Sequence, residues 1–188
     1  MCPTYEEIVE ESSMKSFSAD SLSGLWYMVA TNEPTLPSGC TCSTNNYTVS
    51  TADLTYSYVN ADRCYDSMDI NVHISGEIDA DNQGSLVENG VVHGHVLKPL
   101  KPNYIFALDL DSNGEPTIVY TYACLGKVLG LKEEFSFNVL SRKSSLDSDE
   151  INELVNRGKA RAGVDIDTEK IRLSTEDDYV ACLNPNRR

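Results

Sequence analysis

Between residues 24 and 142 the hydrophobic residues recur in short runs rich in Val, Ile, Thr and Tyr, and clusters of Gly, Asn, Asp and Pro separate these runs. Alternation of apolar and polar residues over such short stretches is typical of half-buried β-strands. Prolines fall between the runs, where a missing N–H costs no ladder hydrogen bond. The pattern predicts eight strands, over residues 24–31, 42–50, 54–60, 68–78, 85–87 running into 91–97, 104–110, 117–124 and 134–140.

The fifth run has an alternative interpretation, because Glu88, Asn89 and Gly90 could form a hairpin turn that splits it. After the eighth run the hydrophobic period changes, and Ile151, Leu154 and nearby apolar residues fall on one face of a helix. Asp147 and Glu150 have the spacing of a capping box, and Gly163 follows the last helical residue. These signals predict one amphipathic helix of about four turns.

Both ends of the chain differ from this strand region. Residues 5–16 are acidic and predict a loosely ordered arm or one short helical turn, whereas residues 168–185 need a tether that Cys182 could supply. We therefore expect a single domain with an N-terminal arm (1–23), an eight-stranded barrel (24–142) and a helix with a tethered tail (143–188). Eight strands leave an interior wide enough for one small ligand.

Composition argues against some classes of binding partner. The 188 residues carry a net charge of -14, which repels phosphate backbones and anionic headgroups and so argues against nucleic-acid or membrane-surface binding, although basic partners stay open. No apolar run is long enough to predict a transmembrane helix. Residues 1–17 show no apolar segment of a signal peptide, so we expect that segment to have been removed or export to be encoded otherwise.

The six cysteines are scattered along the chain at positions 2, 40, 42, 64, 124 and 182. Scattered cysteines in an even number favour disulfides over zinc, and the close pair Cys40 and Cys42 has neither a second knuckle nor a nearby His. Disulfides indicate an oxidising compartment, either extracellular or an organelle lumen such as that of the thylakoid.

Three short motifs carry a family resemblance. The first comprises Phe17, Asp20, Gly24, Trp26 and Tyr27, the second is Leu108-Asp109-Leu110, and the third is Val139-Leu140-Ser141-Arg142. They are similar to the signature motifs of the lipocalins over nearly the whole chain, although the second retains only the acid. The resemblance implies an all-β fold, an eight-stranded antiparallel up-and-down barrel with one C-terminal α-helix packed outside. It also implies that Arg142 packs across Trp26 and closes the barrel floor.

Within the lipocalins the chain looks most like apolipoprotein D and the insect bilin-binding proteins. That resemblance implies the disulfides Cys42–Cys182 and Cys2–Cys124. Cys40 and Cys64 remain, and we expect them to bond to each other. In an alternative pairing, Cys40 takes the place of Cys42. Plastid lipocalins and the barrel of violaxanthin de-epoxidase form the other branch that it resembles. Asn46 begins an N-glycosylation sequon, which has meaning only on the secretory route.

Inward-facing positions alternate along each strand, so the sequence offers candidate ligand contacts. The aromatic and apolar candidates are Met28, Tyr56, Tyr58, Tyr104, Phe106, Phe135 and Phe137. Because tyrosines outnumber phenylalanines, we expect a pocket that is aromatic but offers hydroxyl groups, which suits an amphipathic ligand. The alternative is that some of these side chains face outward beneath the helix.

Other chemistry is less well supported. His73, His93 and His95 lie on neighbouring strands, but no carboxylate or Cys completes a metal or haem ligand set, so we expect no metal site. The acids at 66, 69, 79 and 81 are typical of solvated turns. Residues 109–114 lack the Glu of a calcium loop and indicate a hairpin turn.

The sequence as a whole predicts a non-enzymatic carrier that requires no cofactor and binds a pigment, bilin, retinoid, sterol or fatty acid. One alternative is an accessory subunit of a larger lumenal complex, such as a photosynthetic one, with a protein partner. Another is an enzyme similar to a xanthophyll de-epoxidase, acting on an epoxide or peroxide. A free thiol, or an inward carboxylate with a raised pKa, would favour the enzyme.

Overall fold

Eight long antiparallel strands form the framework of the chain. The computed structural model describes residues 2–34, 36, 39–63, 69–92, 95–96, 102–127, 133–167 and 170–183. The strands are β1 (Gly24–Thr31), β2 (Thr44–Ser50), β3 (Thr55–Asp62), β4 (Ile70–Ile78), β5 (Ser85–Val92), the short β6 (His95–Val96), β7 (Asn103–Leu110), β8 (Pro116–Lys127), β9 (Glu133–Ser141) and the short β10 (Arg172–Leu173).

The sheet closes on itself. Each long strand pairs with the next along the chain, and β9 returns to β1 through pairs such as Met28 with Leu140. The short β6 pairs only with β5, and β10 adds to the edge of β1 beside Ala30. The predicted eight-stranded up-and-down barrel is therefore confirmed.

Strand boundaries differ from the prediction at several places: β3 continues to Asp62, β8 continues to Lys127, and the fifth run ends at Val92, after which β6 pairs antiparallel with β5. Two further differences have a local physical reason. The possible turn at Glu88 is absent, because β5 runs unbroken and pairs with β4 through Gly76 opposite Glu88 and Ile74 opposite Gly90. This ladder satisfies the backbone groups that a turn would have left unpaired. The second strand begins at Thr44 and not at Cys42, which has a φ of 63° and so cannot extend the ladder.

The described part of the chain contains the α-helices α1 (Tyr5–Ile8), α2 (Glu11–Met14), α3 (Ser148–Arg161) and α4 (Glu176–Leu183). The predicted amphipathic helix is α3. The Asp147 side chain accepts hydrogen bonds from the backbone N–H groups of Asp149 and Glu150, both at 2.9 Å. Ile151 and neighbouring apolar residues of α3 are buried against the outside of the ring. A Cβ at Gly158 would lie 2.5 Å from the Tyr120 ring, so this glycine permits the close approach.

The chain ends are fixed to the ring. Disulfides join Cys2 to Cys124 and Cys42 to Cys182, the two pairings that the resemblance implies. The remaining predicted pair, Cys40–Cys64, involves a residue outside the described part of the chain.

The tail contains an additional helix, α4, that the sequence did not predict. The Tyr179 hydroxyl on α4 donates to the backbone oxygens of Met28 and Ser43, at 3.0 and 2.9 Å. Thr175 begins the turn by donating its backbone N–H to Asp178 at 2.8 Å. These tertiary contacts, and not a hydrophobic period, hold the helix in place.

A single cation closes one end of the barrel. The Arg142 guanidinium carbon lies 3.8 Å from the centroid of the Trp26 ring. Its nitrogens donate to the backbone oxygens of Leu25, Ser21 and Ser23 at 2.9 to 3.0 Å. Arg142 therefore joins the last residues of the ring to the 3₁₀ turn at Ala19–Leu22 and to the first strand.

We expect Arg142→Lys to lower the free energy of unfolding by about 1–3 kcal/mol, because an ammonium group cannot reproduce the three hydrogen bonds of the planar guanidinium. Urea denaturation followed by the fluorescence of Trp26, the sole tryptophan, measures this change. Lys143→Ala, at the exposed neighbouring position, is the control. An unchanged midpoint for Arg142→Lys would contradict the role given to the guanidinium.

Candidate functional site

The strands bury two separate sets of side chains, one on each face of the ring. Register pairing places side chains of partnered residues on the same face. The inward face carries Trp26, Met28, Tyr47, Tyr56, Tyr58, Ile74, Ile78, Leu86, Ile105, Leu108, Val119 and Leu140. The outward face of β7 to β9 packs against α3 and includes Phe106, Ala107, Tyr120, Tyr122, Phe137 and Val139.

This division sorts the candidate ligand contacts. Met28, Tyr56 and Tyr58 belong to the inward set. Four candidates do not: Tyr104, Phe106, Phe135 and Phe137 belong to, or pack against, the outward set that α3 and the N-terminal arm cover. Placing those four in the interior is therefore wrong.

The physical reason is that both faces of β7 to β9 are covered. Helix α3 and the N-terminal arm make the outward face an apolar interface, and the aromatic residues pack there; the Tyr104 ring lies 5.6 Å from the Tyr5 ring of the arm, between centroids. The inward face at the same level is polar: Asn138 accepts a hydrogen bond from Thr31 at 2.6 Å and donates to Thr121 at 3.1 Å. Asn138 also donates a hydrogen bond to Ser136, so the polar side chains of this inward group have hydrogen-bond partners within the group.

A second inward polar group contains a buried carboxyl. Glu88 is 4% exposed, and its Oε1 accepts a hydrogen bond from the Tyr58 hydroxyl at 3.1 Å and one from Asn103 Nδ2 at 3.0 Å. The pKa of Glu88 is raised, because burial disfavours the charged form more than the bonds from Asn103 and Tyr58 stabilise it. Burial and the nearby Glu88 carboxyl likewise raise the pKa values of Tyr47, Tyr56 and Tyr58.

A glycine brings Tyr56 and Glu88 together. Tyr56, Gly76 and Glu88 are consecutive partners across β3, β4 and β5. A Cβ at residue 76 would lie 2.8 Å from the Tyr56 hydroxyl oxygen, so the phenol passes directly over the glycine. The missing side chain at Gly76 lets the phenol reach across one strand toward the carboxyl.

Two buried atoms of this group lack a hydrogen bond. Among the described residues, Asn103 Oδ1 has no hydrogen-bond partner, and the Tyr56 hydroxyl has none of good geometry, although it lies close enough to the Glu88 carboxyl to lower the pKa of Glu88. Tyr56 is 4% and Asn103 8% exposed. Such atoms are rare in folded proteins because each one loses its hydrogen bonds to water without replacement. A bound molecule that contacts both atoms would remove that cost.

The interior is also reached by solvent. Val49, Asn60 and Val72 face inward, since each pairs with an inward-facing partner, yet all three are only half-buried. Their own side chains therefore do not fill this part of the ring. Together with the buried Tyr47, Tyr56 and Tyr58 they form a partly accessible inner wall on β2, β3 and β4.

The other candidates of the sequence have ordinary surroundings. Asn46 is exposed on the outer face of β2, and its glycosylation stays a prediction. His73 is exposed on the outer face of β4; His93 lies outside the described residues, as does the side chain of His95. No cluster of three His, Cys, Asp or Glu side chains is found among the residues that the structure describes.

The predicted turn acids also have structural partners. Asp79 accepts backbone hydrogen bonds from Asp81 and Asn82 in a turn, and Asp69 pairs with Arg63. Asp66 lies outside the described residues. Asp111 accepts from the backbone of the hairpin between β7 and β8, where the sequence indicates a turn and not a calcium loop.

Asp109, the retained acid of the second motif, fixes α3 to the ring. Its carboxylate pairs with Arg157 at 2.6 Å and with Arg161 at 2.5 Å, and it accepts from the Tyr120 hydroxyl at 3.1 Å. Arg161 continues to Glu10 of the N-terminal arm. The role of this acid is to join helix, arm and β7.

Sequence reasoning missed Glu88, Asn103, Tyr47 and Gly76. Glu88 was considered only as part of a turn, because Glu-Asn-Gly is a frequent hairpin sequence. The signal that could have identified it is the strand alternation: Glu88 lies two residues after Leu86 and therefore on the same, inward face. A charged residue at an inward position is unusual enough to indicate a site.

Comparison with solved structures shows the lipocalin fold. Insecticyanin from the tobacco hornworm Manduca sexta matches with a TM-score of 0.67 and 19% identity, covering 97% of this chain and 89% of that chain. Crustacyanin H1 from the lobster Homarus americanus matches with a TM-score of 0.63 and 15% identity, over 93% and 86% of the two chains. Lobster apocrustacyanin A1 gives 0.63 and 13%, over 93% and 88%.

No family model matches the chain, and no curated protein matches it by sequence. The structural similarity establishes the fold alone at these identities. The narrower resemblance to apolipoprotein D, or to the plastid lipocalins, stays a prediction. None of the helices that the structure describes is long and apolar enough to cross a membrane.

We expect Tyr58→Phe and Tyr56→Phe to differ in stability. Tyr58→Phe removes a donor to the buried Glu88 and should lower the free energy of unfolding by about 1–3 kcal/mol. Tyr56→Phe removes a hydroxyl whose contact with Glu88 lacks good hydrogen-bond geometry, so its loss of stability should be clearly smaller. Urea denaturation of both variants at pH 7 measures the difference, and equal losses would contradict the hydrogen-bond assignment.

We expect Glu88→Gln to change how stability depends on pH. A carboxyl whose pKa is raised by folding holds its proton more tightly in the folded chain, so stability falls as the pH rises from the ordinary glutamate value through the raised one. Glutamine does not titrate, so the variant should gain stability relative to the parent over this range, by about 1.4 kcal/mol per unit of pKa shift. Glu77→Gln, on the outer face, is the control; parallel curves for Glu88→Gln and the parent would contradict the prediction.

Proposed function

We propose that this protein is a lipocalin-type carrier that holds a small amphipathic ligand inside its barrel. The observation that carries the proposal is the inner wall of β2 to β5, which combines solvent-accessible apolar side chains with a buried carboxyl and two unpaired polar atoms. A wall of this kind suits a ligand with an apolar body and a polar group.

The apolar body of the ligand would lie among Ile74, Ile78, Leu86 and Ile105, which line the interior beside the tyrosines. Removing ligand surface from water contributes about 25 cal/mol for each Å² of apolar area, before the cost of ordering. Entry would occur at the end opposite Trp26, because Arg142 and the 3₁₀ turn close the Trp26 end.

The fold similarity supports a carrier of this kind. The matched structures include apocrustacyanins, whose name denotes the form without a bound group. The sequence itself resembles the insect bilin-binding proteins. A bound pigment or other lipid-like molecule is therefore the ligand class that we favour. The two disulfides support an extracellular or lumenal location.

A role as an accessory subunit has less support. Docking to a large partner usually involves a contiguous apolar patch. The large hydrophobic side chains exposed in the described part of the chain are Leu25, Val87, Leu110 and Val180, on four different elements. The accessory-subunit role can still be tested directly, because it predicts that the protein is recovered from its source within a larger complex.

An enzymatic role is the second candidate, because Glu88 is an inward carboxyl with a raised pKa. A protonated buried carboxyl can donate its proton to an epoxide oxygen while water opens the ring, giving a diol. Two donors already occupy Glu88 Oε1, however, and the cysteines of the two disulfides described above cannot act as nucleophiles. Formation of a diol from an epoxide-bearing lipid, lost in Glu88→Gln, would establish this reaction in place of simple carriage.

The experiment that tests the carrier function is native mass spectrometry, with an absorption spectrum, of protein purified from its source. A bound pigment or lipid of defined mass would support the proposal and identify the ligand. Repeated recovery of empty protein that binds none of a panel of pigments, retinoids, sterols and fatty acids would contradict it.

We expect Val72→Trp and His73→Trp to separate the two faces of β4. Val72 faces the interior, so an indole there should fill the binding space and weaken binding of the neutral probe N-phenyl-1-naphthylamine by about tenfold or more. His73 is exposed on the outer face, and its substitution should leave probe affinity within about twofold of the parent. Probe fluorescence titration measures both, and equal effects would contradict an interior site.

A further inference from the structure

Glu88 is a buried carboxyl that an entirely apolar ligand would not require. Glu88 and Asp62 are the buried acidic residues among those described. Asp62 accepts a hydrogen bond from Ser43 and has the positive charge of Arg172 nearby. No described arginine or lysine forms a salt bridge with Glu88, whose donors are the neutral Tyr58 and Asn103. A buried carboxyl without a cation is costly to the fold, which makes a role in binding worth testing.

Unused acceptors surround this carboxyl. Asn103 points its Nδ2 toward Glu88, which leaves Oδ1 on the other side of the amide without a donor. An amide oxygen can only accept, and Glu88, whose pKa burial raises, can only accept once a cationic guest holds it ionised. The Tyr56 hydroxyl, also unpaired, can do either. The group therefore offers a guest more acceptors than donors.

Aromatic rings stand beside the same carboxyl. The ring centroids of Tyr47 and Tyr58 are 4.4 Å apart, and those of Tyr56 and Tyr58 are 6.3 Å apart in a stacked arrangement. Aromatic faces next to a carboxylate attract cations, because the ring quadrupole and the charge act in the same direction. The wall therefore combines two features that stabilise an ammonium group.

We infer that Glu88, Asn103 and Tyr56 bind the polar end of an amphipathic ligand, and that this end is an amine or another N–H donor and not a carboxylate. The inference rests on the proposed carrier function and narrows its ligand class. N–H groups would supply the donors that Glu88 and Asn103 Oδ1 lack, and the apolar body would extend among Ile74 and Leu86. A fatty acid would place a second negative charge against Glu88 in a medium of low dielectric constant.

The whole molecule favours the same ligands. A net charge of -14 attracts cations to the surface and raises their local concentration. This attraction acts equally on the inner and outer acids, so it cannot by itself distinguish the proposed site. A matched pair of variants is therefore needed: Glu88→Gln inside the ring and Glu77→Gln on the outer face of β4 replace the same side chain on opposite faces of the barrel wall.

The test is displacement of the neutral probe N-phenyl-1-naphthylamine from the full chain by dodecylamine, dodecanol and dodecanoic acid at pH 7.5. Dodecylamine should compete about tenfold more strongly than dodecanoic acid, with dodecanol between them, in the parent and in Glu77→Gln. Glu88→Gln should weaken competition by dodecylamine about tenfold and leave that of dodecanol within about threefold. Tyr56→Phe should weaken competition by dodecylamine a few-fold.

The outcomes separate the two proposals. If the probe binds, and dodecanoic acid competes as well as dodecylamine or Glu88→Gln leaves the order unchanged, the inference is overturned and the carrier function stands. If Glu77→Gln reduces amine binding as much as Glu88→Gln, the preference arises from the surface and the inference fails. If the probe does not bind in the interior at all, as judged with Val72→Trp, both the carrier function and the inference are overturned.

Discussion

The alternation of side chains along a β-strand, applied to a ring whose outer face is covered on one side, is the constraint on which this structure depends. On β7 to β9 both faces are buried, one against α3 and the N-terminal arm and one within the ring. On β2 to β5 the inward face lines the interior while outward residues such as His73 and Glu77 meet solvent. The same rule therefore produces an apolar interface on one side of the molecule and a mixed inner wall on the other.

Much of the fold could be predicted from the sequence because its signals are local. The short alternating runs place the eight strands, and Asp147 with Glu150 places the start of α3. Helix α4 was missed because its stability comes from distant contacts, the bonds of Tyr179 and the disulfide of Cys182, which no local pattern contains. Local periodicity cannot report a helix that tertiary contacts stabilise.

The candidate site could be predicted only in part. Tyr56 and Tyr58 follow from alternation on a strand with one buried face, but Phe106 and Phe137 do not, because a strand buried on both faces has no polar side to set the phase. Phe106 also lies at an irregularity in the pairing of β7 with β8. The large side chains of Phe106 and Phe137 pack in the outer apolar layer, together with residues of α3. Glu88 could not be identified from its neighbours, because Glu-Asn-Gly is also a frequent turn sequence.

The division of the ring has an evolutionary consequence. The fixing contacts, Arg142 on Trp26 and Asp109 with the arginines of α3, lie on β1, β7, β9 and the helix. The inner wall proposed to contact a ligand lies mainly on β3 to β5. Because the two sets share no residue, substitutions on the inner wall leave the contacts that close the ring and hold the helix intact. A scaffold organised in this way can acquire new guests while its sequence diverges, which agrees with a fold retained at 13 to 19% identity.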